Sequence, residues 1–242
     1  MTARTTQVVE APPDRHLDCE TLRRVFQSVD ATTCPHHYNF HLHTVYSDGQ
    51  LTPEDLVEQA LRKGLSGLAI TDHHHVGGYY AAQEWLARYF ANHGNHFYPE
   101  EERLKLWVGV EINAHLLEGE VHILGYAFDP EAEAMAPYLQ GKRVTGDRYL
   151  ASQVVEAIHR AGGLAVLAHP ARYRQRPEAL IPAAQMLGFD GIEVYYAYDN
   201  PKVWRSSPEA TERLLSLCEG HNFLHTCGTD THGHNISRRV GY

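Results

Sequence analysis

Apolar segments that end in histidine or carboxylate recur along this chain, and the first of them sets the pattern. In Tyr38-Asn39-Phe40-His41-Leu42-His43 apolar residues alternate with polar ones, which predicts a strand with His41 and His43 on one face. Asp48 follows in a Ser-Asp-Gly turn, close enough to fold back over that end. Two imidazoles on one strand with a carboxylate beyond its tip suit a divalent metal held by mixed nitrogen and oxygen ligands. A lone His-x-His also occurs as hydrogen-bonded core histidines, so recurrence carries the metal reading.

Six further segments follow, and five of them repeat the theme while the other contains Glu193. A short buried strand over 67–71 ends in Asp72-His73-His74-His75, and a strand over 106–112 carries Glu111 near its end. A strand over 121–128 has His122 near its beginning, and one over 164–168 runs into His169-Pro170. A sixth strand, 191–196, contains Glu193, and a seventh, 223–227, leads to Asp230-Thr231-His232. Helical periodicity falls between them, over 52–64, 79–90, 147–161, 177–187 and 207–220. Thr52-Pro53-Glu54-Asp55 is a strong helix start, with a capping hydroxyl, a proline at the first position and acids at the positive end.

Strands that alternate with helices and gather reactive side chains mainly at their C-terminal ends predict an α/β fold, a distorted seven-stranded β/α barrel with its site at the mouth. A doubly wound open sheet would place its site in a single crevice. Ligands drawn from six of seven strands favour closure. Residues 1–37 read as a polar tail plus an accessory helix over 17–29 packed on the outside, and 38–242 as one domain. His36 and His37 read as surface residues, and the polar stretch 92–105 as a surface insertion.

Composition narrows the partners. A formal charge of −9 argues against a general nucleic-acid surface, although a metal-filled pocket could still attract an anion. No apolar run reaches the length of a membrane span and no basic-then-apolar leader opens the sequence. With four scattered cysteines, the expectation is reduced thiols in a cytoplasmic protein.

Taken together, His41-x-His43, Asp48, Thr71-Asp72-His73, Glu111, His122, His169-Pro170 and Asp230-x-His232 resemble the PHP (polymerase and histidinol phosphatase) family. The resemblance covers about residues 38 to 235 and implies a PHP-type barrel with a trinuclear metal centre and phosphoesterase chemistry. It implies that His41, His43, Glu111 and Asp230 hold one ion. Glu111 would bridge to a second ion held by His122 and His169, and Asp48, His73 and His232 would hold a third. The ions could be Mn²⁺, Zn²⁺, Fe²⁺ or Mg²⁺. Asp48 in its place, and His169-Pro-Ala-Arg172-Tyr173, resemble the branch of nucleoside-bisphosphate phosphatases and short-RNA exonucleases. That branch usually carries a long helical cap between the equivalents of His122 and His169. Here 46 residues separate them, so the cap must be small.

The implied chemistry is hydrolysis of a phosphate ester by in-line attack of a metal-bridging hydroxide. Three carboxylates and six neutral imidazoles around three divalent ions leave a positive core that attracts a phosphate dianion. Arg172 would hold phosphoryl oxygens through its planar fork, whereas Arg174 and Arg176 read as a solvated face. His74 is a candidate general acid. Asp72 and Glu193 read as groups that orient ligand histidines or water. His75, His115, His159, His221, His225 and His234 read as structural or surface.

The expected substrate is a small phosphorylated metabolite or nucleotide. Histidinol phosphate and short oligonucleotides are alternatives, and Tyr79, Tyr80, Tyr173, Tyr195 and Tyr196 are available to stack bases. A non-catalytic, metal-stabilised interaction module is the alternative of a different class.

Overall fold

The computed structural model describes residues 15–93 and 103–240. The N-terminal tail and most of the expected 92–105 insertion lie outside the described residues. Among those described, seven strands form one sheet in sequence order: β1 (Tyr38–Asn39), β2 (Gly67–Ile70), β3 (Lys105–Leu116), β4 (Gly119–Tyr126), β5 (Leu164–Leu167), β6 (Gly191–Tyr195) and β7 (Leu224–Cys227). The helices are α1 (Arg15–Gln27), α2 (Pro53–Lys63), α3 (Gly77–His93), α4 (Ala151–Arg160), α5 (Pro177–Met186) and α6 (Pro208–Cys218). Helix α2 begins and ends as its sequence predicts. The Thr52 hydroxyl accepts the Asp55 N–H at 3.1 Å, and Gly64 stops the helix in the left-handed region at φ 71°.

Beyond the paired ends of β1 and β7 the chain continues the ladder and nearly closes the barrel. The Phe40 N–H donates to the Cys227 carbonyl at 3.1 Å, Asp230 N–H to His41 O at 2.8 Å, and His43 N–H to Thr231 O at 3.2 Å. On the other side, Thr71 N–H donates to Leu42 O at 2.8 Å. This seam requires Gly228, because a Cβ there would lie 2.1 Å from the Cβ of His41.

Two features differ from the sequence reading. Regular strand ends at Asn39, two residues before the first site histidine. Phe40 packs in the barrel interior while Leu42 packs in the layer beneath α2 and α3, so alternation breaks between them. His41 and His43 nonetheless share a face, because both are held by the β7 extension.

Helix α1, expected to pack on the outside, contributes to the core instead. Leu22 and Phe26 are fully buried, and Phe26 meets Phe40 and Tyr126 edge-on at 4.9 and 5.4 Å between ring centres. Its Arg23 also bonds Asp190, just before β6, at 2.8 Å. The helix therefore closes the end of the barrel opposite the histidines, where burying two large side chains is worth roughly 3–6 kcal/mol.

Strand β4 runs antiparallel to both neighbours. That reversal brings His122, near its start, to the same rim as residues at the ends of the parallel strands. Between β4 and α4 the chain makes 3₁₀ turns over Ala136–Tyr138 and Gly146–Tyr149. The Gly141 N–H donates to His74 O at 2.8 Å, so this short loop is pinned beside the mouth.

Candidate metal centre

Glu111, buried in the middle of β3, is the hub. Its Oε1 lies 2.7 Å from His122 Nδ1 and 3.3 Å from His169 Nε2. Its Oε2 lies 3.1 Å from His41 Nε2, 3.0 Å from His43 Nε2 and 3.4 Å from His73 Nε2. One carboxylate thus turns each oxygen toward a different set of imidazoles. Asp230 approaches from the β7 side, with Oδ1 3.2 Å from His43 Nε2 and 3.5 Å from His41 Nε2. At the outer edge, Asp48 Oδ2 stands 3.1 Å from His232 Nε2 and 3.8 Å from His73 Nε2. All nine residues expected as metal ligands therefore meet at one rim. Three groupings of their ligand atoms are compact enough for an ion: His41, His43, Glu111 and Asp230; His73, Glu111 and His122; and His43, Asp48, His73 and His232.

The electrostatics call for cations. Burial favours the neutral form of His43, yet the facing carboxylates of Asp230 and Glu111 outweigh it and raise its pKa to about 9. His41 is raised as well, against burial, chiefly by Glu193 and then Glu111. Glu111 and Asp230 are held well below the usual carboxylate range, because the facing imidazoles outweigh their burial. His73 instead falls to about 4, through burial and the neighbouring His43 and His122. The carboxylates draw protons onto His41 and His43 unless another cation takes their place. Three buried ring nitrogens, His43 Nε2, His73 Nδ1 and His169 Nδ1, have no hydrogen-bond partner among the described residues. Orphaned imidazole nitrogens beside buried carboxylates are the donor set that divalent transition ions take, so the residues present fit metal binding.

Surrounding groups orient this set. Glu193, buried on β6, accepts from His41 Nδ1 at 2.9 Å and from the His169 backbone N–H at 2.8 Å. That fixes the His41 ring with Nε2 turned toward Glu111, where a bound ion would take the place of the Nε2 proton. Asp72 accepts the Thr44 N–H at 2.7 Å and the hydroxyls of Thr44 and Ser47 at 2.6 and 2.7 Å. Ser47 in turn lies 3.4 Å from His43 Nδ1. Asp72 thus braces the turn that carries Asp48. The start of α3 packs against it, and a Cβ at Gly78 would lie 2.2 Å from its Oδ2.

His74 is placed differently from the expectation of a general acid. Its Nδ1 donates to the Tyr138 carbonyl at 3.3 Å, and its Nε2 accepts the Asn113 N–H at 3.3 Å. Burial holds its pKa below the ordinary histidine value. One ring nitrogen thus holds the 136–141 loop and the other meets Asn113 on β3, which gives the ring a bracing position between the two.

Arg172 reaches the rim from the turn over Pro170–Arg172, and its Nη1 donates to Asp230 Oδ2 at 2.9 Å. The same oxygen accepts from the Tyr196 hydroxyl at 2.6 Å and from Arg239 Nε at 2.8 Å. Arg239 escaped the sequence reading, because it sits in an aperiodic polar segment with no motif around it. Asn113 escaped it too; its side-chain amide lies 3.2 Å from His122 Nε2 and 3.0 Å from Glu120 Oε1. Of the tyrosines expected to stack bases, Tyr195 and Tyr196 are buried. Tyr173 ties β4 to β5, accepting the His122 N–H at 2.7 Å and donating to Ala168 O at 3.1 Å.

Comparison with known proteins gives the same direction. The family model for the PHP domain matches residues 39–228. The 5'-3' exoribonuclease Rnm of Salmonella typhimurium is 26% identical over 267 aligned residues, covering 81% of this chain and 85% of that protein. A 3',5'-nucleoside bisphosphate phosphatase of Chromobacterium violaceum is 28% identical over 142 residues, covering 59% of this chain and 45% of the phosphatase. Among solved structures, a Bifidobacterium adolescentis protein superposes with a TM-score of 0.63 at 24% identity, covering 86% of this chain and 91% of the other. Among the described residues no helix is long and apolar enough to cross a membrane.

Proposed function

The chain belongs to the PHP domain family, and from that premise we propose that this metal-dependent phosphoesterase hydrolyses nucleotide-sized phosphate esters at a centre of three divalent ions. The observation that carries the reading is the division of Glu111, with Oε1 toward His122 and His169 and Oε2 toward His41, His43 and His73. In this reading one ion is held by His41, His43, Glu111 and Asp230, a second by Glu111, His122 and His169, and a third by Asp48, His73 and His232. When bound, such ions polarise phosphoryl oxygens and lower the pKa of water toward neutrality.

The chain's own residues supply position. Glu193 holds His41 with Nε2 turned inward, and Asp72 fixes the turn that presents Asp48. Arg172 is half exposed beside Asp230, and its free donors suit bidentate capture of phosphoryl oxygens at the rim. Asp230 keeps one oxygen for the histidine side, because Tyr196 and two arginines occupy the other.

A second reading, cleavage of short oligonucleotides, is favoured by the exoribonuclease relative that aligns over most of both chains. One experiment tests both. Purified protein is assayed for metal content, then screened against nucleoside monophosphates, nucleoside 3',5'-bisphosphates, histidinol phosphate and di- to pentanucleotides with added Mn²⁺. Hydrolysis of nucleotides supports the first reading and shortening of oligonucleotides the second. Bound metal without turnover of any ester would overturn both.

A further inference from the structure

One amide at the mouth faces two histidines at once and lies outside the ligand set. Asn113 stands on β3 two residues past Glu111, so both side chains leave the strand on the same face. Across the antiparallel ladder it is the direct partner of His122. Its Nδ2 lies 3.2 Å from His122 Nε2 and 3.0 Å from Glu120 Oε1, and its Oδ1 lies 3.1 Å from His74 Nε2.

The surrounding groups restrict what this amide can donate and accept. The Tyr138 carbonyl can only accept, so a neutral His74 carries its proton on Nδ1 and offers a lone pair at Nε2. That lone pair takes the Asn113 backbone N–H at 3.3 Å, yet it also faces Oδ1, an acceptor against an acceptor. On the other side His122 points Nδ1 at Glu111 Oε1, 2.7 Å away. Sharing an ion with Glu111 requires the Nδ1 lone pair, which sends the His122 proton to Nε2. There it meets Nδ2, a donor against a donor.

Turning the carboxamide end for end removes both mismatches. Oδ1 then accepts from His122 Nε2, and Nδ2 donates to His74 Nε2. What is lost is the bond to Glu120, an outer carboxylate with 37% of its side chain exposed. Its Oε2 stays with Arg143 at 2.7 Å and with the Tyr149 hydroxyl. Water can satisfy Glu120 Oε1, whereas His74 is buried and has no such substitute.

We propose that Asn113 is a positioning residue of the metal centre: its carboxamide oxygen holds His122 in the tautomer that presents Nδ1 beside Glu111, while its NH2 group holds His74. The same amide ties the centre to the 136–141 loop, because His74 bonds the Tyr138 carbonyl and accepts the Gly141 N–H at 2.8 Å. This rests on the reading of Glu111 and His122 as ligands of one ion, and adds a link by which loading that site firms the loop beside the mouth.

The test uses the full chain and Zn²⁺, a diamagnetic ion, as the probe. Long-range ¹H–¹⁵N spectra of histidine-labelled protein, with His122 assigned through His122→Asn, should show its proton on Nε2 once zinc is added. Asn113→Ala should weaken zinc binding by about 10–100-fold. Asn113→Asp, which keeps an acceptor for His122, should restore most of that loss. Zinc should slow hydrogen exchange of the Gly141 amide in the unaltered protein and slow it less in Asn113→Ala.

A zinc-loaded protein whose His122 keeps its proton on Nδ1 would overturn the proposal, and that spectrum needs no variant to fold. So would an Asn113→Asp variant as weak as Asn113→Ala, since the side chain would then only fill space. Equal slowing at Gly141 in both proteins would remove the link to the loop. Failure of the phosphoesterase reading looks different: the tautomer and the affinities would behave as expected while every phosphate ester stayed intact.

Discussion

Glu193 Oε1 stands 2.9 Å from His41 Nδ1, and the other oxygen of the same carboxylate receives the His169 backbone N–H at 2.8 Å. One buried group on β6 therefore sets the ring of a histidine just beyond β1 and the start of the turn that follows β5. Replacing it by alanine should free the His41 ring to rotate and weaken metal binding by about 10–100-fold. Glu193→Gln should lie between, since its amide oxygen still accepts the Nδ1 proton. Titration of the metal-free protein with Mn²⁺ measures this, and unchanged affinity in Glu193→Ala would contradict the orienting role.

Glu111 should behave as a shared ligand. Glu111→Ala removes both oxygens from a site where six histidines crowd two other carboxylates, so occupancy should fall by more than one ion per chain. Metal analysis of the purified variant checks this. Loss of a single ion, with the rest retained, would show that the two oxygens do not serve two ions.

Arg172→Ala should leave metal content intact, because Tyr196 and Arg239 still bond Asp230 Oδ2. The KM for a phosphate ester should rise by about tenfold or more, as expected for a lost charge-assisted hydrogen bond. Steady-state kinetics separate this from a structural effect. Loss of metal together with activity would place Arg172 among the groups that hold Asp230 in shape.

The opposite end of the barrel gives a prediction about pH. Asp190 accepts from Arg23 at 2.8 Å, from His159 Nε2 at 2.8 Å and from the Ala165 N–H at 2.9 Å. The hydrogen bond to Asp190 raises His159, while Asp190 lies below its usual value because these donors outweigh burial. The raised His159 contributes stability fully below its unfolded pKa of about 6.5 and loses it as pH rises through the folded value. The depressed Asp190 contributes above about pH 3.9 and loses it as pH falls through its lower folded value. The pair is thus strongest between those limits. With His159 40% exposed, its share is about 0.5–1 kcal/mol. Urea midpoints of His159→Ala and the unaltered protein should differ more at pH 5.5 than at pH 8.5, and a gap independent of pH would count against the ion pair.

Helix α1 should be indispensable to folding. Phe26→Ala opens a cavity among Phe40, Tyr126 and their neighbours and should cost about 3–5 kcal/mol. A loss of under 1 kcal/mol in denaturant unfolding would return α1 to the role of an external attachment.

How much of this was legible beforehand follows from what is local. The caps of α2 were readable because Thr52, Pro53 and Gly64 act within one turn of themselves. The nine clustered side chains were readable because each closes or interrupts an apolar segment, and a barrel brings such places to one rim. The break in alternation at Phe40 was not readable, since it comes from the pull of β7 on one side and β2 on the other. Nor was the buried role of Phe26, whose helical periodicity is the same for an external helix as for one that plugs a barrel.

The chain's own order of residues determined the barrel, the family likeness and the candidate ligands, since strand and helix periods and the residues at segment ends are properties of short stretches. Tertiary structure alone decided which groups share a partner. His74 was turned from a candidate acid into a wedge by Asn113 and Tyr138, and Arg239 became the partner of Arg172, 67 positions away in sequence. The physical reason is reach. A hydrogen bond acts over about 3 Å, and which atoms come within it depends on how distant segments pack.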